Sequence, residues 1–267
     1  MNTELYKALL RLNLAKILSH ASGIAAYEGL LAWVYPLVAK SPAVTEVAGN
    51  LPTAVKSVFG VSEEANLNTF EAYMSGQFYG RIWALIMCIY GIGTANRLTA
   101  GFIDDGALGY PLAAPLSRTE IFGTQTAVAL SGVGMITGAT VIGILGSAYV
   151  FQIEINRWRY IRLGVLGLSC FTLITAYSLL FSVSADHAEE GMLYSTGITL
   201  GFYLMDVLAG LNKDWAWLRK FTLFGWFKPQ EILEGKSPTK PILAMAGLSA
   251  LLLALASLVF TERDLAL

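Results

Sequence analysis

Long apolar tracts, each bounded by polar and charged segments, constrain this chain more than any other sequence feature. Six of them are long enough to cross a bilayer: residues 17–39, 78–95, 122–150, 163–183, 192–210 and 242–260. About 20 mostly apolar residues span the hydrocarbon core as a helix, which satisfies its own backbone hydrogen bonds in lipid. The sequence therefore predicts an all-α, polytopic transmembrane bundle of about six spans, forming a single domain over residues 1–267.

Composition excludes several classes of function. Only 14% of the residues are charged, against roughly 25% in soluble domains. The net charge of −1 argues against a nucleic-acid surface, which needs clustered lysine and arginine. Cys88 and Cys170 lie inside apolar tracts, and His20 and His187 are far apart without a cysteine nearby, so no metal site is predicted.

Two nucleotide-binding motifs are incomplete. Gly235-Lys236-Ser237 resembles the end of a phosphate-binding loop, but Gln230 replaces the required glycine and Pro238 opposes the helix that should follow. Gly91 and Gly93 lie inside an apolar tract and do not follow a strand. No catalytic triad can be assembled either. We expect that the chain is not an enzyme and carries no cofactor.

Three segments are typical of the membrane–water interface. Residues 1–16 alternate leucines with Lys7, Arg11 and Lys16, which predicts an amphipathic interfacial helix or, alternatively, an ordinary basic flank before a span. Residues 152–162 and 212–240 mix aromatic with basic side chains. Such segments lie at the headgroup level, where lysine and arginine bind anionic lipid.

Polar residues occur inside three of the tracts: Glu28 in the first, Arg81 in the second and Asp206 in the fifth. Because intramembrane charge is costly, these side chains should face protein or water, and Arg81 and Asp206 are matched in depth for pairing. They form either a polar cluster that fixes helix register or part of a substrate cavity. Glycines in the third and fifth tracts, including Gly138 and Gly201, predict close helix contacts in the bundle or at a dimer seam.

The loop between the second and third tracts carries the most specific motif. It contains Asp104, Asp105 and Gly106, then Pro115, Ser117 and Arg118. By spacing alone it also fits a solvated turn. The last tract closes on Phe260-Thr-Glu-Arg-Asp-Leu265. Together these stretches resemble the membrane subunits of type-2 ABC exporters, which carry acidic residues, a glycine and Pro-x-Ser-Arg after the second span and a similar ending after the last.

This resemblance implies the partners, location and function of the chain. The loop would be the coupling element that contacts an ABC ATPase subunit, two copies of which would hold ATP and Mg²⁺. A second permease copy or a homologue would complete the pathway in the plasma membrane of a bacterium or archaeon. The substrate would be a drug, antibiotic, peptide or lipid-like compound, and the function resistance or self-immunity.

Alternatives remain both for the orientation of the chain in the membrane and for its function. The resemblance implies cytoplasmic termini, and Lys7, Arg11 and Lys16 against Lys40 favour the same side. Residues 152–162 and 212–240 carry the larger basic surplus on the other side. Two rival functions stay open: an ion-coupled secondary transporter that uses Glu28, Arg81 and Asp206, and a non-transporting immunity or scaffold protein.

Overall fold

The computed structural model describes residues 2–39, 69–104 and 116–263, and within these ranges it contains helices and no strands. The α-helices are α1 (Thr3–Ala39), α2 (Phe70–Met74), α3 (Ile82–Leu98), α4 (Ala100–Asp104), α5 (Arg118–Val150), α6 (Arg157–Ser184), α7 (Ala188–Leu211), α8 (Pro229–Leu233) and α9 (Thr239–Glu262). A π-helix covers Ser75–Tyr79, and 3₁₀ helices cover Lys213–Phe221 and Leu223–Gly225. The all-α prediction is confirmed. Three predicted loop residues, Asp105, Gly106 and Pro115, lie outside the described residues.

Five helices are long and apolar enough to cross a membrane: Phe70–Phe102, α5, α6, α7 and α9. These five cover the second to sixth predicted tracts. The helix α1 is not among them, because polar residues such as His20 and Glu28 lower the hydropathy of its apolar half. The chain therefore has the composition and helical architecture of a multi-pass membrane protein.

The predicted interfacial helix is not a separate element. Residues from Thr3 to Ala39 form one continuous helix, since no glycine or proline interrupts its first half. Leu9, Asn13 and Ile17 follow one another at intervals of one turn and are all buried. The basic flank therefore packs on the bundle together with the apolar half of the same helix.

The long helices alternate in direction. Asn2 hydrogen-bonds Thr124 at 3.2 Å and Glu28 lies against Gly143, so α1 and α5 run parallel. The helix α3 runs the other way, because Leu98 packs near Leu9 and Val128. We call the end that holds Asn2, Asp104, Arg118 and Arg263 the loop end, and the other the opposite end. Both termini of the described chain lie at the loop end.

The helix α6 is the most buried long helix, and α7 and α9 are the least buried. Close approach of the helices to α3 depends on glycine. A Cβ atom at Gly167 would lie 2.3 Å from the ring of Trp83, and one at Gly132, on α5, only 2.9 Å from the ring of Tyr90. Gly138 and Gly201 behave differently, since a Cβ at either would meet nothing within 4 Å. The expectation that these two glycines mediate contacts within the bundle is therefore wrong for the single chain.

These glycines give a matched pair of substitutions. Gly167→Leu should lower the free energy of unfolding by about 1–3 kcal/mol, because the new side chain overpacks against Trp83. Gly138→Leu should be tolerated in the single chain, and both variants gain the same helix propensity. Thermal unfolding in detergent measures the difference. Equal destabilisation would mean that the face of α5 around Gly138 is also packed.

Candidate functional site

The loop-end cluster consists of Asp104, Ser117, Arg118, Asp186 and Arg263. Ser117 begins α5 with a capping box: its hydroxyl accepts from the Glu120 amide at 3.2 Å, and the Glu120 carboxylate accepts from the Ser117 amide at 3.2 Å. This cap fixes the first residue of α5. Arg118 is therefore held at a defined position, as the first residue of α5.

Arg118 reaches the C-terminal end of α9. Its guanidinium donates to the carbonyl of Arg263 at 2.5 Å and to the carbonyl of Thr261 at 3.4 Å. The last carbonyls of a helix have no partner within the helix and carry partial negative charge. A cation therefore fits this position, and a hydrogen bond from a charged donor contributes about 1.5–3 kcal/mol.

Arg263 repeats the same chemistry at α6. Its guanidinium donates to the carbonyls of Val183 at 2.7 Å and Ala185 at 2.5 Å, and to the Asp186 carboxylate at 2.8 Å. Val183 lies in the last turn of α6, and Ala185 follows it. Arg118 thus joins the start of α5 to the end of α9, and Arg263 joins the end of α9 to the end of α6.

Asp104 caps a helix that is far from it in sequence. Its carboxylate accepts from the Ala188 amide at 2.7 Å, the first residue of α7, and its other oxygen lies 3.8 Å from the His187 ring nitrogen. His187 occupies the N-cap position but makes no capping hydrogen bond with its own side chain. The residue before the loop therefore supplies the negative charge that the N-terminus of α7 favours.

The two stretches that carry the family resemblance meet in space. Besides the Arg118–Arg263 contact, Phe122 and Phe260 stack with ring centroids 5.3 Å apart in a cluster of buried apolar residues that also contains Ile121, Leu179 and Val183. Asp104 and Arg118 flank the loop on its two sides. These two residues hold the start of α7 and the end of α9.

Glu28 lies in a second site, the acid–tyrosine cluster, with Tyr79 and Tyr160. It is fully buried, so it does not face lipid. Tyr79 donates a hydrogen bond to Glu28 Oε1 at 2.7 Å, and Tyr160 lies 6.1 Å from Tyr79 between ring centroids. Glu28 Oε2 has no hydrogen-bond partner among the described residues and lies against Gly143. Only a glycine leaves room for the carboxyl group there, since a Cβ would approach Oε2 to 2.5 Å.

Arg81 and Asp206 form an ion pair, as their matched depth suggested. Arg81 Nη2 lies 2.5 Å from Asp206 Oδ2, and Arg219 Nε lies 3.4 Å from Asp206 Oδ1. The Arg81 guanidinium also lies 5.2 Å from the ring centroid of Tyr203. This ion triad joins the start of α3, the end of α7 and the following 3₁₀ helix at the opposite end.

The acid–tyrosine cluster and the ion triad are neighbours along the chain, since Tyr79 precedes Arg81 by only two residues. The π-helix Ser75–Tyr79 ends between the two sites, and Arg81 has a φ of −143° before α3 begins. Wide turns of this kind are often retained at functional sites.

Sequence reasoning missed four side chains that belong to these clusters: Tyr79, Tyr160, Asp186 and Arg219. A tyrosine in an apolar tract carries no charge to mark it, and Arg219 lies in a segment where basic residues are expected anyway. The role of Arg263 could have been found, because an arginine just beyond a helix end suits a neighbouring helix terminus.

In the parts of the chain that the structure describes, no group of three or more His, Cys, Asp or Glu side chains could hold a metal ion. Cys88 and Cys170 are free and buried.

The sequence matches the model of no known protein family, and no curated protein is significantly similar to it.

The acid–tyrosine cluster can be tested by removing its partners separately and together. Tyr79→Phe should destabilise the protein by about 1–3 kcal/mol, because it leaves a buried carboxyl group without its donor. Glu28→Met combined with Tyr79→Phe should recover most of that loss, since both polar groups are then gone. Thermal unfolding of the two variants decides the point. A double variant less stable than Tyr79→Phe alone would show that Glu28 stabilises the fold by another contact.

Proposed function

We propose that this chain is the membrane-spanning subunit of an ATP-driven type-2 ABC exporter. The observation that carries the proposal is the loop-end cluster. The residues flanking the loop on either side contact the ends of α7 and α9, and the two stretches that resemble this family meet there. A soluble ATPase bound to the loop would therefore act on several helices at once.

The exporter requires six spans, and the packing of α1 supports a sixth. Glu28 is the one charged residue between Ile17 and Ala39, and it faces protein. The exposed side of this stretch carries large apolar side chains instead, including Leu18, Leu30 and Trp33. Such a face is compatible with lipid. With α1 included, six helices alternate in direction and place both described termini at the loop end.

In this proposal the loop end faces the cytoplasm. Two copies of the chain, or one copy with a homologue, form the pathway above two ATPase subunits that bind ATP and Mg²⁺. Closure of the ATPases would rock the helices between inward-open and outward-open states. The cargo is a drug, antibiotic, peptide or lipid-like compound.

Purification tests the proposal directly. The tagged full-length chain, extracted from its native membranes in mild detergent, should retain an ABC ATPase at one copy per permease, and the complex should hydrolyse ATP. Mass spectrometry of the intact complex gives the stoichiometry. A monomeric chain without nucleotide hydrolysis, purified from membranes that contain the ATPase, would contradict the exporter.

Loop substitutions separate coupling from folding. Asp105→Lys should lower ATP-dependent transport severalfold without changing the unfolding temperature, because Asp105 belongs to the proposed coupling loop and is not a member of the loop-end cluster. Arg118→Gln should lower both, since it removes the charged donor to the end of α9 at a cost of about 1–3 kcal/mol.

Arg11→Glu provides the matched control, because Arg11 is exposed at the same end and belongs to neither cluster. It should leave transport and stability unchanged. Full transport by Asp105→Lys, or equal losses in Asp105→Lys and Arg11→Glu, would contradict a coupling role for the loop.

Ion-coupled secondary transport is the second candidate, and the buried Glu28 favours it. A transporter of that kind would concentrate substrate in sealed vesicles under a proton or sodium gradient without ATP. Glu28→Gln should then abolish uptake. An ABC exporter would instead keep ATP-dependent transport in this variant, with at most a change in substrate preference. The remaining candidate, an immunity or scaffold protein, would transport nothing under either condition.

A further inference from the structure

The opposite end of the bundle exposes large aromatic side chains beside basic ones. The members that face outward come from the start of α6, the long 3₁₀ helix and the start of α9. We call this set the basic–aromatic rim: Arg157, Trp158, Arg162, Trp215, Trp217, Lys220, Phe221 and Lys240. Trp158 is 71% exposed, Trp217 is 55% exposed and Phe221 is 65% exposed.

The rim is held firmly, although its aromatic side chains point away from the protein. The chain that follows the long 3₁₀ helix buries Leu223 and Phe224. Phe227 packs between Trp83 and Phe171, with ring centroids 5.9 and 5.7 Å apart. On the α6 side, Arg159 donates to the Leu233 carbonyl at 2.7 Å. The exposure of its tryptophans therefore does not come from a loosely attached segment.

The charges of the rim identify the chemistry of that partner. No carboxylate among the described residues forms an ion pair with Arg157, Arg162, Lys220 or Lys240, all of which are exposed. The neighbouring Lys228 and Lys236 differ, since both contact Glu231, at 3.0 and 3.4 Å. Partial burial raises the pKa of Glu231, but these two lysines outweigh it and hold that pKa below its ordinary value. Glu231 is therefore ionised at neutral pH and neutralises part of their charge.

We propose that the basic–aromatic rim binds anionic phospholipid headgroups. Tryptophan rings suit the headgroup level of a bilayer, and the rim lies where three apolar helices end or begin. The unpaired arginine and lysine side chains then contact lipid phosphates, which lie at the same depth. This assignment requires only that the helices cross a membrane and does not depend on the exporter proposal or on which side the rim faces.

Tryptophan fluorescence reports on this end of the molecule selectively. All six tryptophans lie in the half of the bundle near the rim. The full-length chain is reconstituted into vesicles of phosphatidylcholine that contain either brominated phosphatidylglycerol or brominated phosphatidylcholine, and bromine quenches nearby tryptophans. The wild-type protein should be quenched several times more strongly by the anionic lipid. The preference should weaken at high salt, which screens exposed charges.

Charge variants test the rim itself. Arg162→Gln combined with Lys220→Gln should reduce the preference for the anionic lipid by at least threefold, because each basic side chain near an anionic surface changes binding by about fivefold. The charge-preserving variant Arg162→Lys with Lys220→Arg should keep the preference. Arg11→Gln with Lys16→Gln removes the same charge at the loop end and should also keep it.

Three results would overturn the assignment. Equal quenching of the wild type by the two brominated lipids would mean that the rim faces neutral lipid or an acidic protein surface. An unchanged preference in Arg162→Gln with Lys220→Gln would exclude these side chains as the binding groups. An equal loss of the preference in Arg11→Gln with Lys16→Gln would mean that the preference depends on the net charge of the protein and not on the rim.

Discussion

The architecture depends on charged side chains placed at the ends of helices. Arg118 donates to the last carbonyls of α9, Arg263 donates to those of α6, and Asp104 accepts from the first amide of α7. In each case the sign of the side-chain charge is opposite to the partial charge of the helix terminus. These groups would otherwise be unsatisfied, because no residue of the same helix can reach them. The ends of α6, α7 and α9 are each held in this way by a residue that is distant in sequence.

The two buried acids follow a different rule, since each has a partner from another segment of the chain. Asp206 is held between Arg81 and Arg219, and Glu28 receives the Tyr79 hydroxyl. The Arg219 side chain of the ion triad is 47% exposed, whereas Glu28 is fully buried beside Gly143 and Tyr79. Glu28 therefore depends more strongly on a single hydrogen bond, and the two acids, which look equivalent in sequence, have different roles in the fold.

Much of this fold could be predicted from the sequence, because a bilayer allows few solutions for an apolar tract of about 20 residues. Tracts two to six became helices near their predicted bounds. The pairing of Arg81 with Asp206 could also be predicted from the sequence, because opposite charges at the same depth in a membrane attract each other. The π-helix before Arg81 and the hydrogen bond from Tyr79 to Glu28 could not be predicted from the sequence. Both depend on which faces of α1 and α3 meet. The same limit explains Gly138 and Gly201: glycine spacing indicates that helices can approach, but not which face of a helix has a neighbour.

The least buried long helices, α7 and α9, are held at their ends by charged side chains. Most of the surface of α7 is exposed, yet Asp104 caps its first residue and Arg81 binds Asp206 in its last turns. Between them Tyr177 hydrogen-bonds Thr199. Polar contacts thus hold α7 at both ends and between them. We expect such a helix to shift more readily than α6, which is the most buried of the candidate membrane spans. Under the proposed function, displacement of the loop beside Asp104 would therefore move α7 before it moved the core.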